Sequence, residues 1–327
     1  MPSSITHSYF AEDVYEKLNE TAKERIKSSK ENLKYYAQGP DSFFFYNLIM
    51  DKKGKKIRQF GAYMHRNKVQ DFFINTIKYI DKHNLKNNPD IMAYLYGFIC
   101  HYILDSKVHP FVFYKTGIFN KKDKKTYKYN GLHYEMEYFI DIYLIYQKEK
   151  KEAKYFKINK YFKPIKKMDN DLKKLIEKTM KTTFDEDNID KAYYKSLKDL
   201  RLFFTFYNYD RFGIKKIIYQ FIDLISPQKF RKKKPLSFNI KHNQKIHYLN
   251  LEKNIWNHPC DINETYNYSF IELYRISISK AVNIINKINE ILDTNYDEDE
   301  IKKIIPNVSY VTGKDCNSPK KMQYFEF

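Results

Sequence analysis

Glycine and proline are scarce in this chain, eight and ten among 327 residues. With so few breakers and no convincing apolar alternation of period two, an extended β architecture is excluded. Cysteine is scarcer still: Cys100, Cys260 and Cys316 are odd in number and widely separated. That excludes a disulfide framework and a CxxC metal clip. No apolar run approaches the roughly 18 residues that a membrane-spanning helix needs. The opening stretch MPSSITHSYFAEDVYEKL has no basic region followed by an apolar one, so no secretory leader is expected. A reduced, cytoplasmic setting is the expectation. Arginine is also rare, seven of the 59 basic residues, so the forked donors that read bases and grip phosphates bidentately are few.

What the chain has is lysine, apolar mass and helical periodicity. The formal net charge is +19, with lysine clusters at 52–56, 121–125 and 231–234. Such a surface is either a set of solvated faces or a match for an anionic partner, a phospholipid surface or a nucleic acid. Hydrophobic residues make up 43% of the sequence, enough for a sizeable core. Amphipathic segments recur near 8–27, 57–82, 89–108, 132–150, 170–183, 189–204, 212–225 and 264–293. The Pro89-Asp90 pair marks a helix start and Pro110 lies near its end. The fold class read from this pattern is all-α, a multi-helix bundle in one domain spanning 1–327. Within it, 226–263 is the one long irregular stretch, a linker or a loop folded over the bundle.

The histidines carry the chemistry. The stretch HYILDSKVHP places His101, Asp105 and His109 at four-residue steps in a segment that is otherwise apolar. A four-residue step on a helix rotates by about 40°, so the three side chains share a stripe that drifts by about 80° along its length. Asp105 can then sit between two ions while the flanking histidines face different ones. GLHYEMEY repeats the spacing with His133 and Glu137. Upstream lie His65 in YMHRN, Asp41 after a Gly-Pro turn, and His7 at the entrance to the first helix.

Each has an ordinary alternative when taken singly. A lone buried histidine is usually a hydrogen-bonded core residue. Asp41 could be a helix N-cap before SFFFYNL, and His133 with Glu137 could be a surface pair. Together, eight nitrogen and carboxylate donors among apolar neighbours are a costly way to build a core, because each unpaired buried polar group costs several kcal/mol. A histidine and carboxylate set suits zinc, and the lack of cysteine argues against a purely structural thiolate site. The remaining histidines, His83, His242, His247 and His258, fall in expected loops or helix ends and read as surface residues, although a loop folding back could bring His258 to the cleft. Cys100 reads as a small core residue.

In this order, His7, Asp41, His65, His101/Asp105, His109 and His133/Glu137, the residues resemble the zinc-dependent phospholipase C / S1–P1 nuclease superfamily. The resemblance covers roughly the first 140 residues, and LNLEKNIWNHPCD followed by a long helix is similar to the small clostridial-type members. It implies an all-helical domain, its metal-site half about 1–150, holding two or three Zn2+ ions at the bottom of a cleft. By position, His65, His101 and Asp105 would hold one zinc, with Asp41 as ligand or general base. His109, His133 and Glu137 would hold a second, and His7 a third bridged by Asp105. Removal of Met1 would expose the amine of Pro2, five residues before His7, at a spacing like that of the nuclease branch. The choline-pocket aromatics of the family have no counterpart, since Ser42 follows Asp41 and Ala62 lies three residues before His65.

The implied activity is zinc-dependent phosphodiester hydrolysis of the phospholipase C kind, a metal-bound hydroxide attacking phosphorus, with Asp41 and Asp105 as catalytic residues. The implied partner is a phospholipid or other phosphodiester substrate, with an anionic membrane surface as a candidate. Two alternatives stay open, an S1/P1-like nuclease acting on nucleic acid and a non-catalytic helical protein stabilised by metal.

Overall fold

The computed structural model describes residues 4–47, 52–165, 167–227 and 237–326. The chain is 66% helical, as expected of an all-α bundle. Its helices, in order, are α1 (Ser4–Lys17), α2 (Glu20–Ile26), α3 (Lys30–Tyr36), α4 (Lys52–Met64), α5 (Val69–Lys82), α6 (Pro89–Thr116) and α7 (Leu132–Glu149). They continue as α8 (Ile158–Tyr161), α9 (Asn170–Phe184), α10 (Ile189–Phe203), α11 (Ile214–Ile225), α12 (Phe270–Asp293) and α13 (Glu298–Ile304). The N-terminal amine and the lysine cluster 231–234 lie outside the described residues.

The axis of the bundle is α6. Its sequence is apolar on nearly every side, so it can be stable only when surrounded, and α1, α3, α7 and α12 pack around it. The side chains of Tyr94, Leu95, Tyr96, Phe98 and Ile99 are wholly buried. The Asn88 side chain accepts from the amides of Asp90 and Ile91, with Pro89 as the first helical residue, a strong N-terminal signal. The buried side chains form one contiguous core running from Ile5 to Tyr310. No helix among the described residues is long and apolar enough to cross a membrane.

Several boundaries differ from the periodicity. The expected segment 8–27 divides at Asn19, whose side chain accepts from the Ala22 amide and starts α2. The segment 57–82 breaks between α4 and α5, where Lys68 takes a left-handed φ of 53°. Pro110 does not close α6, which runs on to Thr116. Proline removes the hydrogen bond to Ser106, and that carbonyl instead lies against Gly313 of the C-terminal segment. The helix expected from 264 begins at Phe270, after a capping box of Ser269 and Glu272. Ahead of it, β1 (Trp256–His258) and β2 (Asp261–Tyr266) form an antiparallel hairpin with Trp256 opposite Tyr266. Phe238, Leu249 and Trp256 are buried in the core, so the part of 226–263 that is described folds over the bundle.

One close approach fixes how α3 meets α6. A methyl group at Gly97 would stand 2.5 Å from the Tyr36 carbonyl carbon and 2.7 Å from the Ala37 amide nitrogen. Backbone cannot yield there as a flexible side chain would. Gly97→Ala is therefore expected to lower stability by about 1–3 kcal/mol through overpacking, read as a lower urea midpoint; an unchanged midpoint would show that the two helices are free to separate.

Candidate metal centre

All eight residues singled out in the sequence converge, in two adjoining groups. In the first, donor atoms of His7, Asp41, His101 and Asp105 lie within 4.8 Å of one another. Here Asp105 Oδ1 is 3.2 Å from His7 Nε2, and its Oδ2 is 3.1 Å from His101 Nε2. The His7 and His101 rings stack at 4.3 Å. His65 joins through Asp41, its Nε2 lying 2.9 Å from Asp41 Oδ1 and 3.9 Å from Asp105 Oδ2. In the second group, Glu137 Oε1 is 3.0 Å from His133 Nε2 and 3.5 Å from His109 Nε2. His109 also connects the groups, its Nδ1 being 3.6 Å from Asp105 Oδ2. Asp105 thus reaches His7 through one oxygen and His101 through the other, while His65 lies beside this group of four and meets it through Asp41.

The fold supplies each position. His101, Asp105 and His109 come from successive turns of α6, and His133 and Glu137 from the first turns of α7. Asp41 sits in a 3-10 turn, Gly39–Phe45, where its side chain caps no helix, so the N-cap alternative fails. Gly39 makes this turn possible: its φ is +49°, and a methyl group on it would fall 2.7 Å from His101 Cγ. His7 is held by its neighbour, because the Thr6 amide and hydroxyl both donate to Asp141 Oδ1 at 2.7 Å. Burial pushes the Asp141 carboxyl up to about 7, against the Thr6 hydrogen bonds.

The ring nitrogens that meet backbone carbonyls decide what the other ring nitrogens can do. His101 Nδ1 meets the Ala37 carbonyl at 3.0 Å, His65 Nδ1 meets Gly61 at 2.7 Å and His109 Nδ1 meets Tyr310 at 2.9 Å. A carbonyl only accepts, so each Nδ1 carries the proton and donates it. Burial lowers the pKa of His101, with Asp105 opposing, and its Nε2 then presents a lone pair. That lone pair faces a carboxylate oxygen 3.1 Å away, and neither atom has a hydrogen-bond partner. Asp41 Oδ2 and Glu137 Oε2 are likewise buried without one. Two acceptors turned towards each other repel unless a cation lies between them.

The electrostatics show how strongly the groups are coupled. Burial opposes the charge of Asp105, yet His109, His101 and His7 hold its carboxyl well below the usual carboxylate range. Burial also opposes charge on His109, but Asp105 and Glu137 outweigh it and raise the imidazole to about 9. Five histidines and three carboxylates thus form an oxygen and nitrogen donor set with no thiolate. The buried Cys100 is not among the clustered donors. Ligands about 2.0–2.2 Å from zinc at tetrahedral angles lie roughly 3.3–3.5 Å apart, close to the spacings seen. The residues fit zinc.

The family model for zinc dependent phospholipase C matches residues 6–186, more than half of the chain. The chain belongs to this family. No curated protein and no solved structure matches it significantly. The matched span contains all eight clustered residues. In this phospholipase C family member the sequence reading missed the groups that aim the histidines. The Tyr310 amide donates to the His65 carbonyl at 2.9 Å, the Ser309 hydroxyl to the same carbonyl at 3.1 Å, and the Tyr310 carbonyl receives His109. The signal was weak, since any residue can offer a backbone carbonyl. His258 is a correction: it is buried in β1, accepts the Cys260 amide at 3.1 Å and is neither a surface residue nor a wall of the cleft.

Metal should therefore be measurable without any substrate. Zinc added to chelated protein is expected to raise stability by about 2.7 kcal/mol per ion at a free concentration 100 times its Kd, read as a higher urea midpoint. Asp105→Asn is expected to retain less zinc than wild type after dialysis; equal zinc content would remove Asp105 from the ligand set.

Proposed function

We propose that the chain hydrolyses phosphodiesters, acting on phospholipid in the manner of phospholipase C. The observation carrying this reading is a cleft of about 710 Å³ that reaches Asp41, His65, His109, His133 and Glu137. Among the described residues the second donor group offers three protein ligands, which leaves a position for water or substrate, as catalytic rather than structural sites require. That disfavours a metal-stabilised protein without activity.

Zinc bound by these residues would supply Lewis-acid stabilisation of phosphate oxygens and a more acidic water. The chain's own contributions follow from geometry. His65 and His101, each fixed by a carbonyl behind it, keep their Nε2 atoms aimed inward without rotameric freedom. Asp41 is at the cleft floor with Oδ2 unpartnered, positioned to orient a water and accept its proton. Arg66 stands on the rim, where its Nη1 donates to the Ala62 carbonyl at 3.2 Å and to no carboxylate among the described residues. Its guanidinium is available for a phosphate oxygen. Phe44, Phe113 and Tyr134 on the walls give apolar surface for the rest of the substrate. The cations in the lining are Arg66 and Lys121, which suits one phosphodiester better than a polynucleotide track.

The test is a substrate panel of phospholipid, single-stranded nucleic acid and an aryl phosphodiester, with chelator and with zinc restored. Phospholipid turnover is expected to vanish with chelator and return with zinc. Asp41→Asn is expected to lower kcat by about 10²-fold or more. Turnover indifferent to chelator, or confined to nucleic acid, would overturn the reading.

A further inference from the structure

Helix α11 is built inside out. Its apolar residues Ile214, Ile217, Ile218, Phe221, Leu224 and Ile225 lie on one side and are 49–71% exposed. Lys215, Lys216, Tyr219 and Asp223, on the other side, are half-buried against the protein. The polar face is fastened down. Tyr219 donates to the Tyr207 carbonyl at 3.1 Å, the Lys216 amide donates to Asp210 Oδ2 at 2.8 Å, and the Lys215 ammonium donates to the Phe206 carbonyl. Phe206 and Phe212, in the segment just before the helix, are 65% and 79% exposed. A surface helix in a globular protein turns its apolar stripe inward. A contiguous apolar patch facing solvent marks an interaction site.

We propose that this face docks on an anionic phospholipid bilayer, α11 lying in the plane of the interface. The choice of a bilayer rests on the phospholipid reading of the cleft and on charge. Between Arg211 and Pro227 three cations, Arg211, Lys215 and Lys216, stand against the one carboxylate of Asp223. In sequence, Lys229, Arg231, Lys232, Lys233 and Lys234 follow within nine residues of Ile225. Apolar residues on one face with lysines beside them are the composition of helices that bind anionic membranes by lying in the interface. At 12 residues the helix is about 18 Å long, too short to span a bilayer. A second copy is the poorer occupant, because each chain carries a formal charge of +19 and two such surfaces repel. The face is also joined to the site. Lys216 and Gln220 share a small pocket with Glu135, Tyr138 and Phe139 of α7, the helix that carries His133 and Glu137.

The experiment is co-sedimentation of the full chain with phosphatidylcholine vesicles, with and without phosphatidylserine, in chelator so that no lipid is consumed. Wild type is expected to bind the phosphatidylserine vesicles, less tightly as salt is raised. Ile217→Ser with Phe221→Ser is expected to weaken binding by about tenfold or more. Ile255→Ser, at an exposed apolar residue elsewhere, is expected to bind as wild type. Zinc-loaded turnover of a soluble short-chain phosphodiester should be the same for wild type and the double variant. The proposal is overturned if wild type ignores the anionic vesicles, if the double variant binds them equally, or if that variant abolishes a dimer while leaving vesicle binding intact. Because binding is read without hydrolysis, its failure leaves the cleft reading standing, and inactivity on every phosphodiester would leave vesicle binding standing.

Discussion

The structure depends on the burial of one carboxylate among imidazoles. Asp105 is 3% exposed, and His101, whose Nδ1 proton goes to the Ala37 carbonyl on the far side, points an Nε2 lone pair at its Oδ2. Repulsion between such acceptors in a low-dielectric interior is far larger than in water. The core must oppose it until a cation arrives. That explains why the element carrying Asp105 is the most deeply surrounded helix of the bundle. A site on a surface loop would relax by swinging its acceptors into solvent.

The same constraint explains how distant segments are joined. Three carbonyls fix three histidines, and they come from the end of α3, the last turn of α4 and the loop before the C-terminus. Helix ends have carbonyls without intrahelical partners, so Ala37 and Gly61 are natural acceptors. The close passage of Gly97 against Tyr36 and of Gly39 against His101 sets the distance at which the Ala37 carbonyl meets the imidazole. Tyr310 completes the arrangement from the far end of the sequence, its ring packed on His65 and His101. Metal bound by these histidines would therefore be coupled energetically to the seating of that loop.

The eight donors were legible because two pairs lie on helices, where a spacing of four fixes mutual direction before any tertiary contact forms. The helical class was legible for the same reason of local periodicity. Partners supplied by backbone were not, since sequence does not mark which carbonyl a fold will leave free. Pro110 misled because the rule that it ends a helix assumes an exposed carbonyl, and here the C-terminal segment meets it. The hairpin at 256–266 was too short to show alternation, and His258 is buried only because that hairpin packs its Trp256 against Phe111. In α11 the apolar stripe was plain in the sequence, but which way it faces is set by hydrogen bonds to Tyr207 and Asp210 that no periodicity encodes.

The two anomalies of the molecule have one physical form. Inside, acceptors face acceptors; outside, an apolar stripe faces water. Each is unfavourable for the chain alone, and each would be relieved by a component of opposite character, a cation in the first case and, as proposed, a hydrocarbon interface in the second. A sequence free to optimise stability would place Leu in the interior and Lys on the helix, as most bundles do. Helix α7 lies next to both departures, with Glu137 in the cluster and Glu135 in a small pocket beside Lys216 and Gln220 of α11. If α11 lies on lipid as proposed, the bilayer would adjoin the helix that carries two of the ligands, and one rigid element would connect the interface to the cleft.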